Sequence, residues 1–133
     1  MTDLLRIATE NNVIVEYADI PKNGSLSVHG KYADYVALDR TTCDCSAQER
    51  THIAHELGHC VLGAFYNIYS DLDVREKHEY RANKWAIEHL IPLSDLTAAV
   101  ADGYREPWEL AELFDVTEEL ILKAFRCYRL VID

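Results

Sequence analysis

Long apolar runs are missing from this chain: none approaches the roughly 20 residues that a membrane-spanning helix needs, so no membrane partner is expected. Basic residues are scarce. Thirteen Lys and Arg against 23 Asp and Glu leave a net charge of −10, and such a surface repels phosphate backbones, which disfavours direct nucleic-acid binding. The N-terminus, Met1-Thr2-Asp3-Leu4-Leu5-Arg6, lacks a basic segment followed by an apolar stretch, so no secretory signal is expected. Low-complexity segments and internal repeats are absent too. There is no C-x-x-C pair among the four cysteines, Cys43, Cys45, Cys60 and Cys127. Without a secretory signal a reducing, cytoplasmic location is expected, with free thiols. Cys43-Asp44-Cys45 has C-x-C spacing and no second pair to complete a metal site, so it reads as a surface loop. Cys60 and Cys127 read as small apolar core residues.

What is present suits one globular domain of 133 residues, 49% hydrophobic and 27% charged. Leu4 to Glu10 reads as a short helix and Val13 to Tyr17 as a β-branched and aromatic strand. Pro21 to Ser25 carries a turn signal. Leu26 to Tyr32 and Tyr35 to Asp39 read as two more strands, so residues 1–40 are expected to form a helix and a small sheet. Ser46 and Glu49 have capping-box spacing. From there to about Tyr66, Ile53, Leu57, Val61 and Leu62 recur at helical spacing. A linker near Asn67 to Asp71 precedes a second long helix, Val74 to Ile91, stopped by Pro92. Ser94 and Asp95 open a third helix closed by Gly103, and Pro107 to Phe114 and Thr117 to Leu130 read as two more. Strands first and helices after predict an α+β fold, with residues 46–92 and 94–130 as its two helical parts.

The sharpest feature is His55-Glu56-Leu57-Gly58-His59, an H-E-x-x-H pattern on the first long helix. Residues four apart share a helix face, so both imidazoles can reach one ion. Zinc suits such a site, because a catalytic centre needs three protein ligands and a water. A bound zinc lowers the pKa of that water from about 15.7 to about 7, and Glu56, beside the two histidines, can take the proton. The third ligand is expected from the next helix, where Glu76, His78, Glu79 and Glu88 are candidates. Glu79 is favoured because Asn83, four residues on, shares its face and can hold the other ring nitrogen of a metal-binding histidine.

Ala54-His55-Glu56-Leu57-Gly58-His59 together with Glu79-Tyr80-Arg81-Ala82-Asn83-Lys84-Trp85-Ala86-Ile87-Glu88-His89-Leu90-Ile91-Pro92 resembles the ImmA/IrrE family of metallopeptidases. The family pattern is A-H-E-x-G-H, followed on the next helix by a Glu, small residues, an F-A pair and a terminal L-L-x-P. Trp85 stands where Phe is usual and Ile91 where the second Leu is usual. His52 stands where a small hydroxyl residue is common. The resemblance implies a minimal zincin-like fold, a small sheet on a helical bundle with zinc between two long helices. It also implies His55, His59 and Glu79 as ligands and Glu56 as the catalytic residue. Family members are often encoded on phages and mobile elements, and some cleave a helix-turn-helix repressor. The expected partner is therefore a protein substrate, with a basic DNA-binding repressor the leading example.

Other residues carry weaker signals. His52 lies nearly in line with His55 and His59 and could be a ligand, a proton donor or a rim residue. His78, Tyr66, Tyr69 and Tyr80 are candidates for stabilising an oxyanion. Leu110 to Ile121 has the look of a helix-turn-helix, but Asp115 occupies the usual Gly place. Its second helix begins with Glu118 and Glu119, which repel phosphates, so it reads as a packing unit. The rival functions are a binding protein on the same fold with little chemistry, and a DNA-binding regulator using the C-terminal helices. The intact Glu56 and the charge balance, respectively, argue against them.

Overall fold

A computed structural model of the protein describes residues 1–20, 24–41, 43, 45–67 and 69–131. Among these, α1 (Thr2–Glu10) leads into three strands, β1 (Val13–Tyr17), β2 (Ser25–His29) and β3 (Asp34–Leu38). Five helices follow: α2 (Ser46–Leu62), α3 (Leu72–Leu90), α4 (Leu93–Ala101), α5 (Pro107–Phe114) and α6 (Glu118–Tyr128). The α+β class expected from the order of elements is borne out. No helix among the described residues is long and apolar enough to cross a membrane.

The sheet order is β1-β3-β2, with β1 parallel and β2 antiparallel to β3. Val36 and Leu38 of β3 are fully buried, as the central strand of a sheet covered on one face requires. The segment Tyr35 to Asp39 therefore offers no free edge, and the edges are β1 and β2. Ser25, expected within a turn, is the first residue of β2, paired with Leu38. The rest of that turn signal, 21–23, lies outside the described residues. Leu4 and Ala8 of α1, Ile53 and Leu57 of α2, Ile87 of α3, and Leu96, Leu110 and Ile121 beyond them join one hydrophobic cluster.

The closest helix contact is between α2 and α3, and small residues make it possible. A Cβ on Gly58 would lie 2.8 Å from the carbonyl oxygen of Ala82, while Ala82 and Ala86 are fully buried. With any larger residue at 58 the backbones would be held apart, and side chains of α3 would fall short of the histidines on α2. Helix α2 ends at Leu62 rather than near Tyr66, because Gly63 turns into the left-handed region at φ 63° and caps it.

The start of α2 also differs from expectation. Ser46 and Glu49 do not form a capping box, since the N-cap is Cys45. The Ser46 hydroxyl instead donates to Asp115 Oδ1 at 2.7 Å, and Glu49 accepts from the Tyr17 hydroxyl at 2.8 Å. Tertiary partners have taken both side chains. Asp115, left-handed at φ 53°, turns α5 into α6, and its carbonyl accepts from Arg50 Nε at 3.2 Å. The Thr117 N–H donates to Thr51 Oγ1 at 3.1 Å. The helix-turn-helix-like segment is thus pinned to α2. No disulfide joins the four cysteines. Cys43 is buried, not on a surface loop, and its thiol faces the Gly24 carbonyl at 3.6 Å. Cys45 is exposed, and Asp44 lies outside the described residues. Burial, then the nearby charges of Asp34 and Glu56, push the buried Cys60 thiol up to about 12, so it stays protonated. Cys127 is half-buried at the core's edge.

Candidate functional site

His55 and His59, one turn apart on α2, both face Glu79 on α3. His55 Nε2 lies 2.9 Å from Glu79 Oε2, and His59 Nε2 lies 3.2 Å from Oε1. The two rings are edge to face, with centroids 4.9 Å apart. One donor atom from each of the three residues falls within a 4.8 Å circle of the others. Each imidazole is fixed from behind. His55 Nδ1 donates to Asn83 Oδ1 at 2.8 Å, and His59 Nδ1 donates to the Ala64 carbonyl at 2.7 Å. Those bonds hold the two rings with Nε2 turned toward Glu79, the nitrogen that a metal ion would take in place of a proton.

Burial would raise the Glu79 carboxyl, but hydrogen bonds from His55, His59 and Tyr66 outweigh it and hold the group well below the usual carboxylate range. Burial would lower His59, but its bonds to Glu79 and the Ala64 carbonyl outweigh that and raise it. The Tyr66 hydroxyl donates to Glu79 Oε1 at 2.6 Å. Burial and then that bond push its pKa up to about 12. A carboxylate held toward its ionised form and two imidazoles with Nε2 turned to it are the donor set of a catalytic zinc site. Tetrahedral zinc at about 2.05 Å from its ligands separates them by about 3.3 Å, close to the two Nε2–carboxylate distances. The residues present fit a zinc ion.

Glu56 is 6% exposed, the most deeply buried acidic side chain of the long helices. Its Oε2 accepts from the Ser25 hydroxyl at 2.7 Å, and Ser25 Oγ lies 2.8 Å from His52 Nδ1. Since the Ser25 proton goes to Glu56, Ser25 accepts from His52 Nδ1–H. A directed chain runs from His52 through Ser25 to Glu56. Burial lowers the pKa of His52, partly offset by the Glu56 charge. Among the described residues Glu56 Oε1 has no hydrogen-bond partner and is free for another donor.

Of the candidate third ligands, Glu79 is the one brought to the histidines. Glu76 is exposed, and Glu88 sits 3.9 Å from Lys84. His78 stacks on Tyr66 at 6.3 Å with its Nδ1 unpartnered among the described residues. Asn83 stands behind His55, as its spacing suggested. His52 is not a ligand; it faces Ser25 on the cleft wall. Of the tyrosines, Tyr66 is at the site, while Tyr69 is 88% exposed and Tyr80 borders a different cavity. Ser25 and the Ala64 carbonyl went unnoticed in the sequence. Gly63, four residues after His59, was a readable signal for the second, because a left-handed cap returns the chain toward that histidine. Ser25, 31 residues from Glu56, left no local signal.

These groups line a cleft of about 530 Å³. Ser25, Leu26 and Ser27 of the edge strand β2 border one side, and Thr117, Glu119 and Lys123 of the α6 region border the other. Fold and site together define an α+β protein with a candidate metal centre between two long helices and a buried glutamate beside it. The chain belongs to the Peptidase M78 family: the IrrE N-terminal-like domain matches residues 8–126. Membership of a peptidase family bears out the resemblance seen in the two helix motifs. No curated protein and no solved structure matches the chain.

Proposed function

We propose that this protein is a zinc-dependent endopeptidase in which His55, His59 and Glu79 hold the metal and Glu56 is the general base. The observation that carries the reading is the convergence of two Nε2 atoms and one carboxylate within 4.8 Å, next to a buried glutamate with one oxygen free. Zinc held there supplies Lewis acidity, acidifying water and polarising a carbonyl. The chain's own residues do the rest. Glu56 Oε1 accepts the proton of the attacking water and returns it to the leaving amine nitrogen as the C–N bond breaks. Ser25, bonded to Oε2, keeps Oε1 turned toward the cleft. Asn83 and the Ala64 carbonyl hold the two rings so that neither swings away.

Substrate is taken as an added strand along β2, whose outer edge borders the cleft through Ser25, Leu26 and Ser27. Edge pairing extends the peptide and presents its carbonyls. The natural substrate we infer is a cytoplasmic protein, with a basic DNA-binding repressor of a phage or mobile element the best match. Its positive surface would meet the exposed Glu112, Glu118 and Glu119 of α5 and α6. The test is elemental analysis of purified protein followed by incubation with candidate repressors. A zinc-to-chain ratio near unity and cleavage lost in Glu56→Gln are expected. Protein without zinc, or Glu56→Gln cleaving at the wild-type rate, overturns the reading.

A further inference from the structure

A second cavity, of about 380 Å³, lies in the groove between α3 and α6. Lys84 contributes from α3, Lys123 and Arg126 from α6, and Arg129 from the turn that ends it. Among the described residues no acidic one lines it, although the chain carries 23 acidic residues against 13 basic ones. Lys84 and Lys123 each have a weak partner on their own helix, Glu88 at 3.9 Å and Glu119 at 3.2 Å. Among the described residues, Arg126 and Arg129 have no carboxylate within ion-pair distance. Cations near a helix C-terminus are favoured by the helix dipole, which accounts for Arg126. It does not account for Lys84 and Lys123, which come from the body of two different helices to the same cavity. Arg129 has φ 55°, a left-handed position that glycine occupies at lower cost, yet a long cationic side chain stands there.

The cavity adjoins the cleft of the candidate metal centre. Asn83 and Lys123 line both, and Asn83 is the residue that holds His55. An extended peptide leaving β2 and crossing the site on the α6 side passes directly over Lys123. We propose that this cavity is a specificity subsite that takes an acidic side chain, Asp or Glu, of the bound peptide. Two free guanidinium groups offer the planar donor forks that match a carboxylate, and the exposed Tyr80 phenol borders the same space. The inference rests on the peptidase reading for the direction of the peptide. It is compatible with a basic substrate body, since the pocket reads one side chain in the extended segment while the acidic helix face meets the rest.

The test uses the full chain carrying Glu56→Gln, so that bound peptide is held and not consumed. A peptide library randomised on both sides of a fixed centre is passed over the zinc-loaded protein, and the retained peptides are sequenced. Enrichment of Asp or Glu at one position, by about tenfold, is expected, the size of one charge-assisted contact. Arg126→Ala with Arg129→Ala should remove that enrichment, and Arg126→Glu with Arg129→Glu should reverse it toward Lys or Arg at the same position. No acidic preference, no retained peptide, or a preference that survives the double replacement overturns the proposal. Acidic enrichment in a protein whose parent cleaves no peptide would sink the peptidase reading and leave the subsite standing.

Discussion

The helix pairs α2–α3 and α5–α6 put their polar residues to opposite uses. In α2–α3 the polar groups point at one another across a close backbone contact, and each has a dedicated second partner: Asn83 for His55, Ala64 for His59, Ser25 for Glu56. In α5–α6 the inward face is apolar, with Leu110, Ala111, Leu120, Ile121 and Ala124 buried, and its polar bonds fasten the turn to α2. In the first pair the polar groups around the candidate metal centre are matched, since an unmatched one costs about 1–3 kcal/mol, while Arg75 Nε and His78 Nδ1 of α3 are buried without a partner among the described residues. The second avoids the problem by having none to match. A helix-turn-helix outline is therefore a packing solution here, whereas the α2–α3 pair holds the candidate metal centre.

The sharpest way to break that contrast is to remove a group from the first pair. His59→Ala should abolish zinc binding at stoichiometric metal and all activity with it, read by elemental analysis. Glu56→Gln should retain the metal and lose on the order of a hundredfold or more in kcat. A Glu56→Gln protein that loses zinc would mean Glu56 is a ligand and the roles are misassigned.

The next test acts on the backbone approach. Gly58→Ala places a methyl 2.8 Å from the Ala82 carbonyl, and the helices must separate. Destabilisation of about 1–3 kcal/mol is expected, the range for overpacking, measured by urea denaturation of the metal-free chain. A substitution that leaves the midpoint unchanged would show that the close approach is not needed to hold α3 in place.

Asn83→Ala probes the matching of polar groups. Without Oδ1 the His55 ring loses its anchor, and zinc affinity should fall by about ten- to a hundredfold. Competition with a chelator measures it, and an unchanged affinity would reduce Asn83 to a bystander.

The contrast also marks what the sequence could convey. Periodicity and caps are local, so the α+β class, the long helices, the exact span of α5 and the approach of Glu79 and Asn83 to the histidines were legible from spacing. What needed three dimensions was not. Sheet order depends on which strand pairs along both edges, a non-local choice, so the central place of β3 was hidden. Ser46 and Glu49 fit a capping box locally, but Asp115 and Tyr17, far away in the chain, compete for the same side chains and win. The end of α2 was readable in Gly63 and was passed over because Leu62 and Tyr66 kept the apolar rhythm going.

The smallest expected effect concerns Ser25, the contact for which the sequence held no signal. Its hydroxyl is the buried partner of Glu56 Oε2, and His52 fixes the direction of that hydroxyl by donating to it. Ser25→Ala leaves the buried carboxylate free to rotate, with neither oxygen matched among the described residues. Loss of one such hydrogen bond is worth about 0.5–1.5 kcal/mol, or roughly two- to tenfold in kcat. Zinc content and KM should stay as they were, because Ser25 touches neither metal nor substrate in this role. Ser25→Thr, which keeps the hydroxyl, should restore the rate. His52→Ala should cost less than Ser25→Ala, and adding it to Ser25→Ala should cost nothing more, since His52 acts on Glu56 only through the serine. Full additivity of the two replacements would mean His52 reaches the reacting groups by its own route, through the ring nitrogen that Ser25 does not occupy. A wild-type kcat in Ser25→Ala would mean that burial alone orients Glu56, and the α2–α3 site would then contain a hydrogen bond without a catalytic consequence.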